Sequence, residues 1–182
     1  MSLPEFRAFQ KVPRLFRPIV VTEKIDRTNG VIYVPEDPSE PLVAGSRTRW
    51  FTDGADNFGF AAWVREHERE LRGLGPGTHF GEWWGSGIQR GYGLTKGARR
   101  FSLFNVSRWA DKRPECCEIV PILASGTWDL VRPCLQLLTD KGSMAAPGFK
   151  PAEGVVVYHT AGNCLFKVTL EKDEEPKGAS QA

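Results

Sequence analysis

Residues 18–34, Pro18-Ile19-Val20-Val21-Thr22-Glu23-Lys24-Ile25-Asp26-Arg27-Thr28-Asn29-Gly30-Val31-Ile32-Tyr33-Val34, decide how this chain reads. An apolar run leads into one lysine, a short polar stretch follows, and a second β-rich run leads away. Two such runs around Asn-Gly predict a hairpin, with Lys24 ending the first strand and Asn29-Gly30 closing the turn. A lysine held there by two half-buried strands is partly desolvated. Desolvation favours the neutral amine, the form that attacks electrophiles.

Outward from this stretch, short strands alternate with few helices. Residues 1–17 are basic and apolar by turns and are broken by Pro4 and Pro13. A proline-rich loop (Pro35, Pro38, Pro41) follows the hairpin, and 42–51 predicts a strand or strand edge whose arginines, Arg47 and Arg49, point into a polar cleft. Phe60, Trp63, Val64, His67 and Leu71 fall at three- and four-residue spacings. They predict a helix over 56–72, capped by Asp56 and stopped by Gly73, with His67 packed on its apolar stripe. Thr78 to Gly85 reads as an aromatic strand in which Glu82, costly if unpaired, needs a partner from the protein or a ligand. The glycine-rich loop 85–97 lacks the spacing of a P-loop or a dinucleotide fingerprint. Residues 101–106 alternate as a strand, 119–123 are apolar, and 128–141 predict a helix with Pro133 in its first turn and Gly142 as its stop. Strands over 153–159 and 164–170 end the ordered chain, and 171–182 read as a solvated, frayed tail. With no repeat and no long linker, the pattern predicts one α+β domain over 1–182, built on antiparallel sheet.

Composition narrows the classes. At 182 residues the chain can bury a real core, and its 41% hydrophobic and 25% charged residues are those of a globular protein. No apolar run approaches the ~20 residues of a membrane span, and the N-terminus lacks the apolar core of a signal peptide. The expectation is an intracellular, cytoplasmic protein with no membrane partner. Cys116, Cys117, Cys134 and Cys164 show no zinc spacing and read as free thiols. The net charge of +2 conceals a cluster, Lys96, Arg99, Arg100, Arg108, Lys112 and Arg113, opposed only by Asp111. Charge alone leaves two readings even, a phosphate-backbone contact and a solvated surface.

Taken in order, several short motifs form a series. They are Lys24 with Asp26 and Asn29, Ser46-Arg47, Gly81-Glu82-Trp83-Trp84-Gly85 and Leu103-Phe104-Asn105-Val106. Gly142-Ser143 with Ala146-Pro147-Gly148-Phe149, then Glu153-Gly154-Val155-Val156 and Phe166-Lys167, complete it. The series resembles the successive motifs of the covalent nucleotidyltransferases, the superfamily of RNA ligases, DNA ligases and capping enzymes. The closest resemblance is to small RNA ligases of the phage type, over about residues 19–177.

The resemblance implies a nucleotidyltransferase (ATP-grasp-like) core of antiparallel sheets flanked by a few helices, and an ATP-dependent RNA ligase. Lys24 would take AMP from ATP as a lysine phosphoramidate and pass it to a 5′-phosphate; a 3′-hydroxyl would then displace AMP to seal the strand. Free lysine has a pKa of about 10.4, so only about one in a thousand is neutral near pH 7.4, and burial or a nearby cation must lower it. Lys167 is the implied cation. Glu23 would accept from the adenine amino group, Asn29 would position the nucleotide, and Arg47 would contact ribose or phosphates. Glu82 would bind the ribose, Phe104 would stack on the base, and Glu153 would hold Mg²⁺ or Mn²⁺. Arg27, Arg99, Arg100, Arg108 and Lys172 are candidate contacts to phosphate or nucleic acid.

Three positions depart from the family pattern. Arg27 stands where motif one has glycine and would be strained if that position needs a positive φ. Thr169 stands where a second motif-five lysine is common, and Asn105 replaces an aspartate. The chain ends soon after motif five, so no OB-fold or helical C-terminal domain is expected, and the grip on RNA or DNA ends would come from the core's surface or a partner protein. DNA ligation, GTP-dependent capping and nucleotide or end binding without catalysis are the alternatives on the same scaffold.

Overall fold

The structure, a computed structural model, describes residues 3–52, 54–171 and 173. In chain order the strands are β1 (Ile19–Lys24), β2 (Thr28–Val34), β3 (Val43–Gly45), β4 (Gly77–Gly85), β5 (Arg99–Leu103), β6 (Cys117–Ile119), β7 (Ile122–Gly126), β8 (Gly154–His159) and β9 (Cys164–Thr169). The α-helices are α1 (Phe60–Glu66), α2 (Glu68–Leu71), α3 (Val106–Trp109) and α4 (Val131–Lys141).

The hairpin expected over 18–34 does not form. β1 and β2 enter different sheets, ordered β7-β1-β8-β9 and β3-β2-β4-β5-β6. All pairings are antiparallel except β5 with β6. Asn29-Gly30 is therefore strand interior, not turn. Gly30 is needed there for space: a Cβ would lie 2.6 Å from the Phe60 ring and 2.8 Å from that of Phe101. The chain crosses between sheets at Ile25–Arg27. Buried Ile25 packs there in a cluster with Trp84 and Tyr92, and the Asp26 N–H donates to the Tyr92 hydroxyl at 2.8 Å.

Period-two alternation sorts the side chains of each sheet. On β1, Ile19 and Val21 join Val155 and Val157 of β8 over Cys134 and Leu138 of α4, forming one core. Val20, Thr22 and Lys24 take the opposite face. On the second sheet, Ile32 and Val34 pack with Trp83, Phe101 and Leu103 against Phe60 and Val64 of α1. The other face carries Asn29, Val31 and Tyr33, whose partners on β4 are Glu82, Phe80 and Thr78. A third apolar cluster, with Val20 of β1 beside Trp84 of β4, lies between the two sheets.

Several boundaries differ from expectation. The 56–72 helix begins only at Phe60, because Phe58 and Gly59 hold positive φ values of 50° and 77°, and it breaks at His67, whose backbone leaves the helical region at φ -101°, ψ 16°. Asp56 still ties the first turn, accepting from the Ala61 N–H at 2.9 Å. His67 is packed as expected, its ring 4.9 Å from that of Trp63. Regular strand over 42–51 shrinks to β3, leaving Arg47 and Arg49 in the loop beyond it. β5 stops at Leu103, and the Asn105 side chain caps α3 by accepting the Arg108 N–H at 3.2 Å. Pro133 sits in the first turn of α4 and Gly142 ends that helix. All four cysteines are free. Among the described residues no helix is long and apolar enough to cross a membrane.

Gly81, the β4 partner of Gly30, tests this packing. A Cβ there would meet the Phe101 ring and the Ser102 carbonyl oxygen, each at 2.6 Å, and a backbone atom cannot swing away. Gly81→Ala is expected to lower the unfolding free energy by about 1–3 kcal/mol in urea titration. An unchanged midpoint would contradict the close approach of the strands.

Candidate active site

Lys24 ends β1 directly opposite Gly154, the first residue of β8. That register sets Glu153, one residue earlier, beside it, and Lys24 Nζ lies 2.5 Å from Glu153 Oε2. The two side chains are 24% and 19% exposed, so the pair is mostly desolvated yet reachable. Glu82 approaches from the other sheet. Its Oε1 accepts the Arg27 N–H at 3.0 Å and its Oε2 accepts the Asn29 side-chain amide at 2.9 Å. Each oxygen keeps a lone pair for a further donor. Burial pushes Glu82 up to about 7, against the pull of the Lys24 ammonium, and the Glu153 carboxylate adds to the rise. Lys24, Glu153 and Glu82 thus form one electrostatic unit spanning the two sheets.

Lys167 and Phe104 stand on the flanks of this unit. Lys167 pairs with Val156, and Val156 with Thr22, so the register places Lys167 on the same sheet face as Thr22 and Lys24. Strand spacings put its Cα about 12 Å from that of Lys24, within reach of a ligand shared by two lysine side chains. Thr169 lies in line with Gly154 and Lys24. Phe104 follows the buried Leu103, and its N–H donates to the Phe80 carbonyl at 3.0 Å. Alternation from Ser102, the partner of Glu82, sets Phe104 on the Glu82 face.

Other candidate residues are engaged elsewhere. Glu23, next to Lys24, points to the opposite face and is fully buried. Its Oε1 accepts the Ser143 hydroxyl at 2.6 Å, and its Oε2 accepts the N–H groups of Met144 and Ala145 at 2.7 and 2.9 Å. This carboxylate braces the turn after α4, with three of its acceptor positions taken by that turn; burial raises its pKa. Arg27 is not among the residues of positive φ, so it carries no glycine-type strain. Its fully buried guanidinium lies 5.0 Å over the Tyr92 ring and donates to Gln89 Oε1 at 2.9 Å, with Asp26 Oδ2 at 3.4 Å. In this structure its side chain packs in the protein interior, with Nε left without a hydrogen-bond partner. Tyr92 and Gln89, unassigned by the sequence, are therefore part of the site's support.

The basic cluster disperses. Arg99 donates to the Ser86 carbonyl at 3.1 Å. Arg100, on the other face of β5, pairs with Glu118 at 2.8 Å and lies 5.6 Å over the Trp84 ring. Arg108 donates to the Leu74 carbonyl and lies 4.4 Å over Trp109. These arginines do not make one phosphate-binding strip. Arg47 is exposed and lines a separate depression two residues along β2 and β4 from the Asn29–Glu82 pair. Lys172 lies outside the described residues.

Among the described residues no group of three His, Cys, Asp or Glu side chains could hold a metal. Glu153 instead offers one carboxylate whose only protein partner among those residues is Lys24. That suits Mg²⁺ or Mn²⁺ bound through one or two carboxylates with water and phosphate oxygens completing the shell.

The same chain segment carries a family signature. Residues 17–169 match the model of the RNA ligase family. The chain belongs to the RNA ligase family. Solved RNA ligase structures share its fold. A mutant of the Naegleria gruberi RNA ligase with ATP and Mn superposes with a TM-score of 0.63 at 20% identity, covering 87% of this chain and 52% of that one. The Naegleria gruberi RNA ligase with PPi gives 0.62 at 20% identity, with the same coverage. A further mutant with AMP and Mn gives 0.59 at 19% identity, covering 84% of this chain and 49% of that one. The α+β, nucleotidyltransferase-like architecture read from the sequence is thus the RNA ligase fold, and the chain spans about half the length of these solved chains. Comparison with the curated proteins finds no significant match.

Glu82 gives the site a pH signature. Its folded-state pKa of about 7 exceeds the ordinary 4.5. Between those values the folded state therefore binds the extra proton, and the Glu82 contribution to stability is full below about pH 4.5 and is lost as pH rises through 7. The stability difference between wild type and Glu82→Gln, followed by thermal melts, is expected to shrink over that window. A difference that grows with pH would contradict the buried placement.

Proposed function

We propose that this chain is the adenylyltransferase core of an ATP-dependent RNA ligase acting through a lysyl-AMP intermediate. The observation that carries this reading is the Lys24–Glu153 pair at 2.5 Å, with Glu82 and Asn29 facing it from the second sheet, in a member of the RNA ligase family. Glu153 Oε2 is within hydrogen-bond reach to take the proton that Lys24 must lose. The freed Nζ lone pair then attacks the α-phosphorus of ATP, a P–N bond forms, and the bond to pyrophosphate breaks. Lys167 brings positive charge from the same sheet face to the phosphate as negative charge develops. Asn29 and Glu82 hold the ribose hydroxyls, and Phe104 stacks on the adenine, an interaction worth roughly 1–3 kcal/mol. Glu153 would also hold Mg²⁺ or Mn²⁺, which neutralises phosphate charge when bound.

An oxygen of an RNA 5′-phosphate next attacks the adenylyl phosphorus, breaking the P–N bond and returning the lysine. The 3′-hydroxyl oxygen of a second end attacks the activated 5′-phosphorus, and AMP leaves.

Incubation with ATP and Mg²⁺ is expected to give an AMP adduct on the intact protein, seen by mass spectrometry and absent in Lys24→Ala. Glu153→Gln is expected to slow adduct formation on the order of 10²-fold or more. GTP and NAD run in parallel separate adenylyl transfer from capping-type chemistry. An adduct that survives in Lys24→Ala, or no adduct under any nucleotide and metal, defeats the reading.

A further inference from the structure

The face of the second sheet that carries Glu82 does not end at the nucleotide pocket. Moving along β4 away from Lys24, the residues on this face are Glu82, Phe80 and Thr78, and their β2 partners are Asn29, Val31 and Tyr33. Phe80 is 55% exposed and Tyr33 37%, although strand positions of this kind usually bury such rings. Trp50, 47% exposed, folds over the edge, its ring centroid 6.3 Å from that of Tyr33. The row starts beside Phe104, whose N–H is bonded to the Phe80 carbonyl. A depression of about 280 Å³ lies on this face, lined by Val31, Ser46, Arg47, Thr48, Arg49, Trp50, Thr78 and Phe80. Two arginines and no carboxylate line it. Exposed rings gathered on one side of a sheet mark a binding surface.

The geometry points to a docking track for unpaired nucleotides of an RNA end, formed by Phe80, Tyr33, Trp50 and the arginines of the 46–50 loop. It rests on the ligase reading above and names the substrate class of that same site. Three observations favour RNA over a protein partner. The rings are continuous with the face on which the nucleotide is proposed to bind. Arg47 and Arg49 line the same depression as Phe80 and Trp50, a combination that suits single-stranded nucleic acid, with aromatic faces for bases and cations for the backbone. The lining offers no acidic side chain to repel phosphate. The rings also select the form of the end. A base can lie on Phe80 or Trp50 only when its π-face is free, whereas in a nicked duplex each base is sandwiched by its neighbours. The track therefore takes an end whose last nucleotides are single-stranded, and it is tolerant of sequence because every base presents a π-face.

The test uses the full chain and a fluorescent, 5′-phosphorylated single-stranded RNA, compared with a nicked RNA duplex bearing the same end. Anisotropy reads RNA affinity, and the AMP adduct is read separately. The single strand is expected to bind more tightly than the nick. Phe80→Leu, which keeps apolar bulk but removes the π-face, and Trp50→Ala are each expected to weaken single-strand binding roughly 5- to 100-fold. Phe80→Tyr should restore it, with adduct formation unchanged in all three variants. The track is overturned by single-strand affinity that Phe80→Leu and Trp50→Ala leave intact, by a nick that binds at least as tightly, or by loss of the adduct in these variants. Self-association through this face without RNA binding overturns it as well. Absence of the adduct in wild type defeats the ligase reading alone, since the anisotropy arms still decide whether the track binds RNA.

Discussion

A lysine ammonium and a glutamate carboxylate 2.5 Å apart, at the adjoining ends of β1 and β8, form the contact on which the site depends. Both groups are mostly removed from water, and breaking such a pair leaves a charge stranded in low dielectric. The backbone therefore has to hold them in register. Gly154 makes this possible. A Cβ there would collide with the Val168 carbonyl oxygen, so only glycine lets β9 close against the start of β8 while Glu153 turns back towards Lys24. The third charge, Glu82, has hydrogen bonds but no ion-pair partner of its own, which explains why burial moves it so far.

The connection Ile25–Arg27 fixes how the two sheets share these charges. It carries the chain from the lysine on one sheet to Asn29, partner of Glu82, on the other, and it is braced on both sides. Arg27 reaches into the glycine-rich loop through Gln89 and Tyr92. Glu23, facing away from Lys24, grips the turn after α4 through Ser143, Met144 and Ala145. Neighbouring residues on one strand point to opposite faces, so Glu23 and Lys24 can serve scaffold and chemistry in turn.

Much of this was legible in the sequence, for a physical reason. Lys24, Phe104 and Glu153 fall at strand ends and Glu82 and Lys167 within strands, all in or beside short β-rich runs that give a clear signal, and their order carries the family resemblance. What failed to read was long-range pairing. Asn-Gly between two β-rich runs satisfies a hairpin locally, and nothing within the stretch reveals that Phe60 and Phe101, far along the chain, need Gly30 as empty space. The role of Glu23 was hidden likewise, because its donors lie some 120 residues away. Arg27 stands where the family pattern has glycine, yet its backbone φ is not positive and its side chain packs over Tyr92. The basic residues over 96–113 read as one patch because they are close in sequence, yet adjacent positions on β5, such as Arg99 and Arg100, project to opposite faces.

A crystal structure of the protein with ATP and Mg²⁺ tests the central claim most directly. The account places the α-phosphorus about 3–3.5 Å from Lys24 Nζ, with the ribose on Glu82 and Asn29 and the adenine against Phe104. A nucleotide bound with its α-phosphate out of reach of Lys24, or with its ribose away from Glu82, would contradict it.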